Sequence, residues 1–227
     1  MPHPSLQYFP LALPFILLLV FLVGLLILSI EIGLLRYAYE KMGVSPRYVF
    51  TILILSLLGS YVNIPVAELP AKEVVSNQET SFFGMRYVIP SVEARPRTIV
   101  AVNLGGAVIP ILLSAYLLVK HNLYRRALLG ITFVAVIVHW LAQPIQGVGI
   151  AVPIFVPPVV SAFAALVLSR KSAPPLAYII GSLGTLIGAD LLNLWHIQGL
   201  GAPIVSIGGA GTFDGIFLTG ILAVFLA

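Results

Sequence analysis

The sequence contains no cysteine. Disulfides, thiol catalysis and cysteine-held metals are therefore excluded. Charge is nearly as scarce. Only 9% of the 227 residues are Asp, Glu, Lys or Arg, where a soluble domain carries about 25%. Such a chain lacks the polar surface that a water-soluble fold needs. Aspartate is scarcer still: Asp190 and Asp214 are the two in the chain. No low-complexity tract, clear internal repeat or separate soluble domain is visible. What fills the sequence is apolar, 59% of residues, in runs long enough to cross a bilayer. The expected class is an all-α membrane protein. The net charge of +4 fits basic loops between spans better than a nucleic-acid surface.

Seven spans are expected, over residues 11–30, 48–66, 98–119, 127–142, 154–168, 175–194 and 208–227, within a single polytopic domain. The first has no basic n-region, runs long and lacks a small-residue cleavage site, so it reads as a span and not as a cleavable signal peptide. Residues 67–97 are the one long polar segment. Within it EVVSN and GMRYVI alternate as strands do, with SNQETSFFG expected as the turn of a β-hairpin. Arg36, Lys41, Arg47, Lys120, Arg125, Arg126, Arg170 and Lys171 fall on one side under alternate crossing, which the positive-inside rule makes cytoplasmic. The N-terminus and the 67–97 hairpin then face outside, and the C-terminus inside.

The sharpest chemical signal is the aspartate pair. Ionisable groups within a span are costly and mark function by default. The last two spans are joined by a Gly/Pro loop centred near Ala202, and each aspartate lies about twelve residues from that centre. In an antiparallel helical hairpin this symmetry sets the carboxylates at similar depth. Two adjacent carboxylates can share one proton, which suits activation of a water and equally suits proton carriage. The plainer alternative is helix capping, at which aspartate is good; it applies better to Asp214, which follows Gly208, Gly209 and Gly211. Around the pair, Gly188, Gly209, Gly211, Phe213 and Gly215 are expected to support the site. His196 is expected to tune or relay a proton, or else to sit at the interface beside Trp195. Asn63, Asn103, Gln143 and Gln146 are amides in or beside apolar runs, suited to interhelical hydrogen bonds or to lining a hydrated cavity. The segment 143–153 is too apolar for an ordinary loop and too rich in Gly and Pro for an ordinary helix, as is tolerated where protein or water surrounds backbone at membrane depth. His139 with Trp140 has the same interfacial reading as His196, and no HExxH-type spacing points to a metal. No metal and no cofactor are expected.

An aspartate on each of two successive membrane helices, the second in the Gly-rich stretch GGAGTFDGIF, resembles the GxGD intramembrane aspartyl proteases, the group that holds presenilin, signal peptide peptidase and the prepilin peptidases. The resemblance covers about forty residues. It implies catalytic roles for Asp190, from IGAD, and Asp214. Gly211-Thr212-Phe213-Asp214 reads GxxD, no Tyr precedes Asp190, and no Pro-Ala-Leu motif follows Asp214. The whole chain also resembles an uncharacterised family of archaeal and bacterial multi-pass proteins. The expected activity is intramembrane aspartyl proteolysis of a transmembrane peptide or protein in the cell membrane. The alternatives are a proton- or ion-coupled transporter or channel using the same aspartates, and a non-enzymatic receptor or scaffold. The lipid bilayer is the expected surrounding, and no nucleic-acid partner is expected.

Overall fold

The computed structural model describes residues 13–69, 73–82, 85–94, 98–145, 149–197, 204–209 and 215–227. The chain divides into two units, 1–37 and 38–227. The first is most of helix α1, Leu13–Lys41. Its apolar residues Leu17, Leu18 and those from Val20 to Leu34 are exposed on every side. A helix apolar all round is stable only when something apolar surrounds it, as lipid does.

The second unit is mostly helical. Helix α2 (Pro46–Gly59) starts with a proline at its first position, where no backbone N–H is needed. Helices α3 (Ile109–His121), α4 (Tyr124–Leu141), α5 (Val156–Leu168), α6 (Ala173–Thr185), α7 (Leu194–Ile197) and α8 (Gly215–Leu226) follow. At its centre is α6, which packs on α3, α4, α5 and α8. The stretch Ala173–Asn193 is 72% buried, against 39% for Leu104–His121 and 28% for Tyr124–Leu141, so α6 is the axis and its neighbours are the wall.

The wall is built inside out. Facing inward, α4 and α5 carry Ala127, Gly130, Ala135, Ser161, Ala162 and Ala165; facing outward they carry Leu128, Phe133, Val136, Val159, Phe163 and Val167. Small residues between helices let backbones approach where lipid leaves no hydrophobic force to drive association. A Cβ at Gly188 would sit 2.5 Å from the Ala135 carbonyl oxygen and 2.9 Å from the Val138 Cβ, and one at Gly184 2.8 Å from Val134. Gly184 and Gly188 thus seat α6 and the turn after it on α4.

The all-α expectation needs correction. A three-stranded sheet is built into the helical unit, in the order β1 (Asn63–Leu69), β4 (Thr98–Asn103), β7 (Ile204–Ile207). β1 and β4 are antiparallel, from Asn63↔Asn103 to Leu69↔Thr98; β4 and β7 are parallel, from Ile99↔Ile204 to Val102↔Ile207. The expected second span therefore stops at Gly59, and the expected third begins as a strand. A continuous β-branched run such as Thr98-Ile-Val-Ala-Val suits either element by periodicity alone. Pro65 is tolerated because β1 is an edge strand with an irregular register there. The hairpin of 67–97 is β2 (Glu73–Phe82) paired antiparallel with β3 (Met85–Ala94). Residues expected in its turn, from Ser76 to Phe82, pair within the strand instead. A short pair, β5 (Gln143–Ile145) and β6 (Gly149–Ala151), occupies part of the segment 143–153.

Among the described residues, four helical stretches are long and apolar enough to cross a membrane: Val20–Lys41, Leu104–His121, Tyr124–Leu141 and Ala173–Asn193. Arg47–Gly59, Val156–Leu168 and Gly215–Leu226 are apolar but shorter. The basic loops meet at one end. There Lys41 Nζ donates to the Val224 carbonyl at 3.3 Å, Lys120 Nζ donates to the Gly43 carbonyl, and Arg126 donates to the Ser169 hydroxyl at 2.9 Å.

Candidate functional site

Two helices are interrupted where polar residues enter the core. The chain leaves β4 at Asn103 and makes one π turn, Leu104–Val108, before α3 begins. The far end of α6 likewise runs into a π turn, Leu186–Asp190, then a 3-10 turn, Leu191–Asn193, and α7. Such π turns widen the helix by one residue and are frequent at functional sites. Asn193 steadies the second break, donating to the carbonyls of Gly188 at 2.9 Å and Ala189 at 3.0 Å.

Asp190 is the last residue of that π turn and is mostly buried. Its Oδ2 accepts the backbone N–H of Gly208 at 2.7 Å. Gly208 immediately follows β7, with φ of +78°. A Cβ there would lie 2.5 Å from the Ala107 Cβ and 2.6 Å from its nitrogen. Only glycine supplies both that conformation and that closeness. The carboxylate thus ties the broken end of α6 to the strand end, and the strand end lies against the π turn that leads into α3.

Beside this bond is a network of amides and hydroxyls. Asn103 is at its hub. Its Oδ1 accepts the Gly106 N–H at 2.8 Å, capping the π turn, and its Nδ2 donates to the Ser60 carbonyl at 2.8 Å and to Asn63 Oδ1 at 3.0 Å. Asn63 Oδ1 also accepts the Ser206 hydroxyl at 2.5 Å. The Ser56 hydroxyl donates to the Gly105 carbonyl at 3.1 Å, where Gly59 and Gly105 let α2 and the π turn touch. Five segments distant in sequence, α2, β1, the β4–π junction, β7 and the end of α6, are joined by these bonds.

The structure brings together Asp190, Asn63, Asn103 and Gly209, since a Cβ at Gly209 would lie 3.1 Å from the Asn103 amide. Gly188 is two residues from Asp190 but serves the α4 contact. Gly215 opens α8 in open space. Gln143 is exposed at the start of β5, and His196 lies on α7. Asp214, Gly211, Phe213 and Gln146 fall outside the described residues, as does the side chain of His196. Ser206, Ser60 and Gly208 were not singled out as site residues. For Gly208 the signal was present in the Gly-Gly pair after a β-branched run, a place where strands end in a positive-φ turn.

Apolar faces turned outward and small residues turned inward, on helices long and apolar enough to span, mark a multi-pass membrane protein. The chain belongs to the family described as "Protein of unknown function (DUF1614)", whose profile matches residues 57–226. That match takes in every segment of the polar network except Ser56. No curated protein and no solved structure matches the chain.

Proposed function

We propose that the protein is an intramembrane aspartyl protease, with Asp190 as one member of a water-activating carboxylate pair and Asp214 as the other. The observation that carries this reading is the bond from the Gly208 N–H to Asp190. It fixes the start of the segment that leads to Asp214 against the first aspartate. Six residues further along the chain comes Asp214, and one residue later α8 begins, packed on α6. In the proposed mechanism the charged aspartate takes a proton from a water, which attacks the peptide carbonyl, while the neutral aspartate donates to the developing oxyanion. The substrate is a transmembrane peptide unwound at the scissile bond, since a helix hides its carbonyls. The β2–β3 hairpin is suited to pair an extended substrate along its edge.

The interrupted helices favour a second reading, a proton- or ion-coupled transporter or channel. Broken helices beside an intramembrane carboxylate are typical of transporter sites. In either case we infer seven crossings of the cell membrane, with the basic end of the bundle cytoplasmic. The convergence of Lys41, Lys120 and Arg126 on one end supports that orientation.

The test is cleavage of a transmembrane reporter peptide by the purified protein. Asp190→Asn and Asp214→Asn should each abolish it, with the double variant no worse than either, because a pair acts as a unit. Activity should follow a bell in pH, since the pair works only when it holds one proton. Undiminished cleavage by either variant sinks the protease reading. Absence of cleavage, with gradient-driven flux lost in both variants, replaces it by the transporter.

A further inference from the structure

Helix α3 ends by clasping a turn. Lys120 Nζ donates to the Gly43 carbonyl, and His121 Nε2 donates to the Met42 carbonyl at 3.1 Å. Both acceptors lie between α1 and α2, where Gly43 has φ of +84°. A Cβ at Gly43 would lie 3.3 Å from the His121 ring and 3.7 Å from Lys120 Nζ, so the clasp is close. Lys120 has a second anchor. It donates to the Tyr116 hydroxyl, one turn back, at 3.2 Å, and its Nζ stands 5.4 Å from the centre of that ring. An ammonium has three N–H donors. Two are used within the protein, and the third remains on a side chain that is exposed and yet held in place.

From this ammonium a groove runs back along the outward face of α3. Ala115, Tyr116, Val119 and Lys120 line it, and its volume is about 430 Å³. The lining is apolar up to the lysine. Tyr116 and Val119 are both exposed, and the small Ala115 leaves the space between larger neighbours. The charge around the clasp is one-sided. Lys41, Arg47, Arg125, Arg126, Arg170 and Lys171 lie at the same end. Among the described residues of the second unit, the side-chain carboxylate at that end is Glu40. Lys41 and Arg126, like Lys120, bond to neutral acceptors, the Val224 carbonyl and the Ser169 hydroxyl. None of these bonds cancels the positive charge.

We propose that the groove seats one anionic phospholipid, its acyl chain along Ala115, Tyr116 and Val119 and its phosphate on the Lys120 ammonium. A soluble anion would use the ammonium and leave the groove empty. A lipid without net charge would use the groove and gain little from the charge. An amphiphile with a negative head uses both. Basic sites at the cytoplasmic ends of membrane helices bind such headgroups, and each cation near the surface adds to the attraction. The lysine meets the phosphate as a point charge, and its anchors reduce the side-chain freedom lost on binding. The inference rests on neither reading of Asp190, which lies at the far end of α6.

The test is native mass spectrometry of the purified full chain in detergent, titrated with phosphatidylglycerol or phosphatidylcholine of matched chains. Phosphatidylglycerol should bind the more tightly. Lys120→Gln should weaken it about fivefold, the effect of one cation beside a charged surface, and leave phosphatidylcholine unchanged. Lys171→Gln removes the same charge from the loop between α5 and α6, which does not line the groove. It should weaken phosphatidylglycerol by less than about twofold, because exposed charges act weakly at a distance. Because Lys120 also holds the α1–α2 turn, Ala115→Leu gives an independent arm. It lies on an exposed face, fills the groove and keeps every bond of Lys120. It should weaken phosphatidylglycerol roughly threefold through lost contact with the chain, at an unchanged melting temperature. Excess inorganic phosphate should not displace the lipid. Equal affinity for the two lipids overturns the seat. Equal losses at 120 and 171 mean diffuse attraction to the whole basic end and overturn it as well. An Ala115→Leu protein that binds phosphatidylglycerol as the parent does, or displacement by inorganic phosphate, means an anion site without a place for the chain, and the proposal falls.

Discussion

Gly208→Ala is the substitution that the site should tolerate least for its size. Three effects add. A residue with a Cβ at φ of +78° costs about 1–2 kcal/mol in the left-handed region. The new methyl would meet the Ala107 Cβ at 2.5 Å, its nitrogen at 2.6 Å and its Cα at 2.8 Å. Two of those atoms are backbone of the π turn and have no rotamer by which to yield. Movement of the strand end then lengthens the bond to Asp190, and a hydrogen bond to a charged group is worth about 1.5–3 kcal/mol. The sum is about 3–5 kcal/mol, or a fall in melting temperature on the order of ten degrees for a domain of this size. The assay is thermal unfolding in detergent followed by size-exclusion. Two companions divide the total. Asp190→Asn keeps an acceptor for the Gly208 N–H and removes a largely buried ionisable group, so it should melt near the parent. Asp190→Ala leaves that N–H without its acceptor and should lose about 1–3 kcal/mol. A Gly208→Ala protein that melts within about two degrees of the parent would refute both the close approach and the bond built on it.

Gly188→Val should separate α6 from α4, because its branches would enter the Ala135 carbonyl and Val138; loss of monodisperse protein checks it, with Gly24→Val on α1, where a Cβ meets nothing, as the tolerated control. Asn103→Asp should destabilise the protein despite its equal size, by about 2–4 kcal/mol, since an oxygen would replace the Nδ2 that donates to Ser60 and Asn63; a melting curve equal to the parent's would contradict the network. For orientation, a cysteine at Gln78 should react with an impermeant thiol reagent in intact cells and one at Asn122 should not, and labelling confined to Asn122 would reverse the topology.

The membrane class was legible because it rests on cost: an apolar run has few places to go, and a carboxylate within one needs a partner, which for Asp190 is the Gly208 N–H. Asn103 was legible as a buried amide for the same cause, and Asn63, exposed on the edge strand, as an amide in an apolar run. What joins them was not. Ser206 reaches Asn63 only because β7 lies parallel to β4, and no local pattern encodes a pairing between strands so distant in sequence. The central strand β4 was hidden by its burial, since it shows neither alternation nor a helical period. Asn103 explains why the expected third span begins so late: it caps a helix at Gly106, and the residues before it are free to be a strand.

The parallel pairing of β4 with β7 has a consequence for how the chain is made. β4 and Asn103 leave the ribosome long before Ser206 and Gly208 exist. Until then β4 has one unpaired edge, Asn63 lacks the Ser206 hydroxyl, and Asp190 lacks the N–H that it accepts. An unpaired strand edge is a liability until it is covered. The nascent protein is therefore incomplete until its final segment arrives, and the closing of that parallel pair is the step at which assembly is tested. Chains truncated before Ile204 should be retained by chaperones and degraded, even though most of their helices are already synthesised.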